Sequence, residues 1–141
     1  MNRGVVVLFI ATLCVVTAYT LSKRSYYDSK HPLIGQIKAK LALLDPSYAR
    51  IPLREGDSAY TENKEVITLC LADPDEKKFY DMNTLMYVTL HEVAHVISKS
   101  QGHGDEFKQN FATLLRRGAE IGIYDPRKPI PSTYCKVATG K

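Results

Sequence analysis

The segment HEVAH, residues 91–95, lies inside the apolar run NTLMYVTLHEVAHVIS at residues 83–98. On a helix built from this run, apolar side chains point to nearly every side, so we predict a helix in the centre of the domain. Asp81 or Asn83 would cap its start. A helix of this kind needs packing partners all round, which constrains the rest of the chain more than any other feature.

The two histidines of this segment are spaced to share a metal ion. His91 and His95 are four residues apart, so at 3.6 residues per helical turn their side chains project within about 40° of each other. Glu92 projects about 100° away, where its carboxylate can reach a water activated by the metal rather than the metal itself. This is the arrangement that metal-assisted hydrolysis requires, with Glu92 as general base.

A third ligand is expected because a catalytic zinc usually has three protein ligands and one open place. His103 follows His95 by eight residues, and Gly102 and Gly104 on either side allow the backbone to turn its ring back toward the helix. Three imidazoles with an open place favour zinc over other divalent metals. Asp105 and Glu106 could orient a ligand ring through a hydrogen bond.

Three other interpretations of these residues stay open. Glu120, 25 residues after His95, could be the third ligand instead of His103. The histidines could also be hydrogen-bonded in a core or on a helix face, or form a closed structural zinc site, which would leave Glu92 unexplained. With only 4 histidines in the chain, a shuffled sequence would contain HExxH with a probability on the order of half a percent.

HEVAH followed by GHGDEF resembles the SprT-like zinc metallopeptidases, the family of the DNA-protein crosslink protease Spartan, and more loosely the WLM family. The resemblance is specific over about residues 85–111 and extends to the preceding segment EVITLCLA. It implies a small α+β zincin fold in which His91, His95 and His103 bind zinc and Glu92 is the general base. The additional zinc-binding or DNA-binding modules common in that family have no counterpart here, where a membrane segment stands instead.

The oxyanion that develops during peptide hydrolysis needs a hydrogen-bond donor. Tyr124 and Tyr134, near the carboxyl end, are candidates for this role. The chain contains nine tyrosines, so packing is the commoner role to expect for each of the two.

Residues 4–21 form an uncharged stretch close to the roughly 20 residues that a transmembrane helix needs. We expect an anchor at residues 1–22, a polar linker at 23–32 that includes a solvated His31, and one domain at 33–141. A cleaved signal peptide is the alternative for the first segment. Basic residues concentrate after the span, which predicts a domain on the cytoplasmic side; a lumenal or extracellular domain behind a signal-anchor stays open.

The rest of the chain predicts an α+β domain. Helices are expected at residues 33–44, with Leu33, Ile37, Leu41 and Leu44 on one stripe, and at 105–120. SYARIPL (47–53) and KEVITLCLA (64–72) are typical of strands, separated by a loop at 55–63. We expect the second strand to lie beside the metal-binding helix and to receive an extended substrate. Cys70 and Cys135 fit a reducing compartment, or could form one bridge.

Together these patterns predict a membrane-anchored zinc metallopeptidase that cleaves a protein or peptide substrate. The alternative is a non-catalytic, membrane-anchored structural or assembly protein that retains a zincin fold, which would suit the inner membrane of a large virus particle. Nucleic acid is a less favoured partner, because the net charge is only +4 and no long basic run is present.

Overall fold

The computed structural model describes residues 3–27 and 29–139, and it confirms the α+β class. The described residues form four α-helices, which are α1 (Arg3–Tyr27), α2 (Pro32–Leu44), α3 (Met82–Ile97) and α4 (Asp105–Glu120). They also form five strands, which are β1 (Leu53–Glu55), β2 (Tyr60–Glu62), β3 (Val66–Leu69), β4 (Thr133–Tyr134) and β5 (Val137–Ala138). Five residues lie outside the described ranges: 1 and 2 of the predicted anchor, 28 of the predicted linker, and 140 and 141 of the predicted domain.

Helix α1 covers the uncharged apolar stretch. The window Arg3–Thr20 has a mean hydropathy of 1.9 and is not buried against the rest of the protein. It is long and apolar enough to cross a membrane, and a signal sequence has the same properties. The hydroxyls of Thr12 and Thr17 donate to the carbonyls of Leu8 (2.8 Å) and Leu13 (2.9 Å), so both are satisfied within the helix.

The connection between α1 and α2 is shorter than the linker expected at residues 23–32, because α1 continues to Tyr27. Its described part is held on the sheet, since the backbone N–H of Ser29 donates to the carbonyl of Leu53 at 2.8 Å. His31 is not a solvated linker residue. Its Nδ1 accepts a hydrogen bond from the N–H of Leu33 at 3.1 Å and thereby caps the start of α2.

Helix α2 covers the sheet and α3 with one apolar face. Its buried residues are Ile34, Ile37, Leu41 and Leu44, so three of the four residues predicted for this stripe are buried, and Ile34 replaces the half-buried Leu33. Arg117 of α4 donates to the carbonyl of Leu44 at 3.0 Å and satisfies one of the carbonyls left free at the end of α2.

The main sheet has the strand order β1-β3-β2. Strand β1 runs parallel to β3, with Leu53 opposite Ile67, and β2 runs antiparallel to β3, with Thr61 opposite Ile67. All four residues of β3 are buried, as their apolar sequence predicted. Strand β3 is nevertheless the central strand, so β1 and β2, rather than β3, are the edge strands.

The prediction of two strands separated by a loop was partly wrong. Strand β2 lies within the predicted loop at residues 55–63, where it pairs with β3 across a three-residue connection, Asn63 to Glu65. The first predicted strand, 47–53, begins instead as a short 3₁₀ helix (Tyr48–Arg50), because Asp45 Oδ1 accepts from the N–H of Ser47 at 2.7 Å and starts a turn.

Helix α3 is the centre of the domain, as predicted. Ten of its residues are buried, on all sides: Asn83, Thr84, Leu85, Met86, Val88, Thr89, Leu90, Glu92, Val93 and Ala94. Its N-cap is Asp81, whose side chain accepts from the N–H of Thr84 at 3.1 Å and from its hydroxyl at 2.6 Å. The helix is packed between α4 on one side and the sheet and α2 on the other.

Helix α4 has the bounds expected from its apolar spacing, and it is followed by an irregular, proline-containing tail and the hairpin β4–β5. A disulfide between Cys70 and Cys135, with Cα atoms 6.4 Å apart, joins this hairpin to the end of β3. Of the two states left open by the sequence, the cysteines therefore adopt the bridged one. The disulfide holds the carboxyl-terminal hairpin beside the central strand.

We expect Asp81→Ala to lower the free energy of unfolding by about 1 kcal/mol, because the first turn of α3 loses its side-chain cap. Asp81→Asn, which keeps an acceptor oxygen at the same place, should lose much less. Chemical denaturation of the full chain in detergent would compare the two. Equal losses for both variants would show that the cap contributes little to stability.

Candidate metal centre

The three histidine rings predicted as metal ligands come together at one point. His91 and His95 lie one turn apart on α3, with ring centroids 5.0 Å apart. His103 comes from the loop between α3 and α4, and its Nε2 lies 3.1 Å from that of His91 and 3.0 Å from that of His95. One ligand atom from each of the three residues falls within 4.8 Å of the others.

These spacings fit a single small metal ion. Nitrogens that bind a tetrahedral zinc at about 2.0–2.1 Å lie about 3.3 Å from one another. Burial, together with the charges of His95 and His103, lowers the pKa of His91 to about 4, which favours the neutral ring that binds metal. Burial, His103 and Lys64 likewise lower the pKa of His95.

An aromatic side chain supports all three rings. The centroid of the Phe107 ring lies 4.3 Å from that of His95, in a stacked arrangement, 4.7 Å from that of His103 and 4.9 Å from that of His91. Phe111 meets His91 edge-on at 5.1 Å. The sequence predicted the helix that carries both phenylalanines but not these contacts, and their packing limits the orientations that the imidazoles can adopt.

Glu92 lies beside the histidines and is buried, with 5% of its surface exposed. Its Oε2 accepts a hydrogen bond of 2.7 Å from the hydroxyl of Thr61, which also contacts the backbone carbonyl of Glu92 at 3.1 Å. Burial raises the pKa of Glu92 to about 7, although the bond from Thr61 acts in the opposite direction. Thr61 could not be found from the sequence, because it lies in the segment predicted as a loop.

The histidines and Glu92 open onto a cleft of about 840 Å³, a volume suited to a small molecule or a stretch of peptide. One wall is β2 and its turn, and another is the carboxyl-terminal hairpin. The loop that carries His103 forms a third side. The lining residues from these walls include Tyr60, Thr61 and Lys64 on the first, Tyr134, Val137 and Ala138 on the second, and Ser100 to His103 on the third.

The two tyrosines proposed as oxyanion donors differ in position. Tyr134 lines the cleft, but its hydroxyl donates to the backbone carbonyl of Cys70 and its ring lies 4.7 Å from that of Tyr80. Burial raises its pKa, as do Tyr80 and the charge of Glu92. Among the described residues that line the cleft, Tyr124 does not occur, and it packs instead against Tyr87 at 6.0 Å.

The two acidic residues predicted to orient a ligand ring, Asp105 and Glu106, differ in what they contact. Glu106 accepts from the N–H groups of Lys99 and Ser100, both at 3.0 Å, so its carboxylate fastens the loop. Asp105 is exposed in the first turn of α4. Glu120, the alternative third ligand, is at the far end of α4 and pairs with Arg116 at 2.7 Å.

Three viral proteins are similar to this chain. Uncharacterized protein 042R of Invertebrate iridescent virus 3 is 38% identical over 112 residues, covering 79% of this chain and 69% of that protein. Uncharacterized protein 136R of Invertebrate iridescent virus 6 is 42% identical over 125 residues, covering 73% of this chain and 70% of that protein. Uncharacterized protein R325 of Acanthamoeba polyphaga mimivirus is 27% identical over 125 residues, covering 87% of this chain and 63% of that protein. No family model and no solved structure matches the chain.

We expect Thr61→Val to destabilise the protein by about 1–3 kcal/mol, because the buried carboxyl group of Glu92 then loses its hydrogen-bond donor. Thr61→Ser keeps the hydroxyl and should lose less. Denaturation of the metal-free full chain would measure both variants. A Thr61→Val protein as stable as the wild type would mean that Glu92 finds another partner.

Proposed function

This chain belongs to the family of the iridescent-virus proteins 042R and 136R, and we propose that it is a membrane-anchored zinc metallopeptidase. The observation that carries the proposal is the convergence of three imidazole nitrogens at an open cleft, with a buried carboxyl group beside them. A structural zinc site is closed by four protein ligands, whereas a catalytic site has three and leaves one place for substrate or water. The proposal includes a zincin-like arrangement of the domain and its resemblance to the SprT-like peptidases.

The residues present fit a zinc ion. His91, His95 and His103 would hold it, and Phe107 would keep their rings in place. A zinc ion at this site would supply a Lewis acid and acidify a water molecule. Glu92, in turn, would take a proton from the attacking water on a carboxylate oxygen and pass it to the nitrogen of the departing amine. The hydrogen bond from Thr61 would hold that carboxylate in one orientation.

Strand β2 would align the substrate. It is the one of the two edge strands that lines the cleft next to Glu92, through Tyr60 and Thr61. An extended peptide could pair with the outer backbone groups of this edge, as in other cases of β-strand addition. The role that the sequence suggested for the segment of β3 therefore passes to β2, because β3 is already paired on both sides.

Tyr134 is the better candidate for stabilising the oxyanion, since it lines the cleft and Tyr124 does not. Its hydroxyl would have to exchange its bond to the carbonyl of Cys70 for one to the substrate. Because the hydroxyl of Tyr134 is already bonded to that carbonyl, the structure is also compatible with the alternative function, a non-catalytic assembly protein. The two functions differ in whether the site turns over a peptide.

The anchor would be α1, in contact with the membrane through residues 4–21. The basic residues that follow it favour a domain on the cytoplasmic side, whereas the Cys70–Cys135 disulfide favours surroundings that are not reducing. A place in the virion membrane reconciles the two, because a particle that has left the cell is no longer exposed to cytosolic reductants. The viral origin of the relatives supports this location.

We expect the full chain, purified in detergent, to contain about one zinc ion per molecule by mass spectrometry. His103→Ala should lose most of it, because two imidazoles from one helix turn leave the coordination incomplete. His31→Ala is the matched control, since it removes the one histidine outside the cluster. A folded wild-type protein that binds no zinc would contradict the proposed metal centre.

We expect Glu92→Gln to retain zinc and to lower the cleavage of a labelled, unstructured protein by about 10²- to 10⁴-fold, the usual contribution of a general base. Glu65→Gln, which changes an exposed carboxylate of the β2–β3 hairpin, should cleave as the wild type does. Cleavage by Glu92→Gln at the wild-type rate would contradict the mechanism. A zinc-loaded wild type that cleaves none of a broad set of unfolded proteins would instead favour the assembly function.

A further inference from the structure

The turn between β2 and β3 contains a residue that is unexpected for its backbone conformation. Asn63 and Lys64 both have positive φ angles, of 51° and 58°, and the N–H of Glu65 bonds to the carbonyl of Glu62 at 2.9 Å. Two central residues of positive φ define a type I′ hairpin turn, which favours Asn followed by Gly. Lysine at the second position has a side chain that opposes this conformation.

The side chain of Lys64 reaches the loop that carries His103. Its Nζ donates to the backbone carbonyl of Ser98, which ends α3, and to that of Ser100 at 2.9 Å. The loop is also held from the other side, where Glu106 accepts from the N–H groups of Lys99 and Ser100. An ammonium group thus binds the carbonyls of the loop while a carboxylate binds its amides.

The ammonium charge by itself is unfavourable for a metal site. Lys64 is close enough to His95 to help lower the pKa of that ring. A fixed positive charge at this distance repels a bound cation. Both the backbone conformation of the turn and the charge near the metal centre are unfavourable for a lysine at this position. Its hydrogen bonds to the loop are the contribution that can offset them.

We propose that Lys64 is a positioning residue for the third metal ligand, holding the loop so that His103 presents its Nε2 to the rings of His91 and His95. The inference rests on the proposed metal centre. Strand β2 and the turn after it contact the site at two points. Thr61 bonds to Glu92, whereas Lys64, two residues beyond the end of β2, bonds to the loop that carries His103. A peptide that pairs with β2 would therefore sit on the element that orders both the base and the third ligand.

The test is the zinc affinity of the full chain in detergent, measured by competition with a chelating dye, for wild type, Lys64→Gly, Lys64→Met and Lys64→Arg. Lys64→Gly suits the turn better than lysine does, and its metal-free form should be at least as resistant to thermal unfolding as the wild type. Its zinc affinity should nevertheless fall about 10- to 100-fold, as it does when other supporting groups around metal sites are removed. Lys64→Met, which keeps the aliphatic chain, should show the same loss.

Lys64→Arg should restore most of the affinity, because a guanidinium group can also donate to two carbonyls. Two further measurements isolate positioning from other effects. The absorption spectrum of the Co²⁺-loaded protein should change in Lys64→Gly and return toward the wild type in Lys64→Arg. In the metal-free protein, the amides of residues 99–103 should exchange hydrogen faster in Lys64→Gly than in the wild type.

The direction in which zinc affinity changes in Lys64→Gly distinguishes positioning of the loop from repulsion of the metal by the lysine charge. If Lys64 acted only through its charge, its removal would strengthen zinc binding, so a Lys64→Gly protein with equal or higher affinity would overturn the inference. That result would leave the metal centre intact, because the wild type would still bind zinc. Failure of the wild type to bind zinc would instead overturn the metal centre, and the positioning role with it.

Discussion

The burial of α3 on nearly all sides is the constraint on which the rest of this protein depends. Because nearly every face of the helix is apolar, the chain has to surround it with a sheet, α2 and α4. One stretch is left open, where His91 and His95 face the cleft. The same packing removes water from Glu92 and His91. Burial therefore raises the pKa of Glu92 and lowers that of His91, which favours the neutral form of each.

The walls of the cleft come from distant parts of the chain, and each is fastened to the core by a few polar contacts. Thr61 and Lys64 fix the β2 side to α3 and to the loop after it. On the other side, the disulfide Cys70–Cys135 and the bond from Tyr134 to Cys70 fix the hairpin β4–β5 to the end of β3. These contacts fix two walls of the cleft to the core.

The related iridescent-virus proteins are uncharacterized, so the family relationship assigns no function to this site. The proposed function therefore depends on the chemistry of the site: three converging imidazoles at an open position, a buried carboxyl group and an adjacent edge strand. Each of these features has a separate physical cause in the fold. Their coincidence at one cleft favours catalysis over a purely structural use of the histidines.

Local periodicity determined much of this protein by itself. The spacing of apolar residues predicted α3 and α4 to within a residue or two, and the four-residue spacing in HEVAH placed His91 and His95 on one face. Only the tertiary structure decided the contacts between distant segments: the edge strand β2, the bond from Thr61 to Glu92, the use of Glu106 and Lys64 on the loop of His103, and the pairing of Cys70 with Cys135. A sequence pattern records which face of an element is apolar, because that depends on near neighbours. The partners of a polar side chain depend on how whole elements pack, and no local period encodes them.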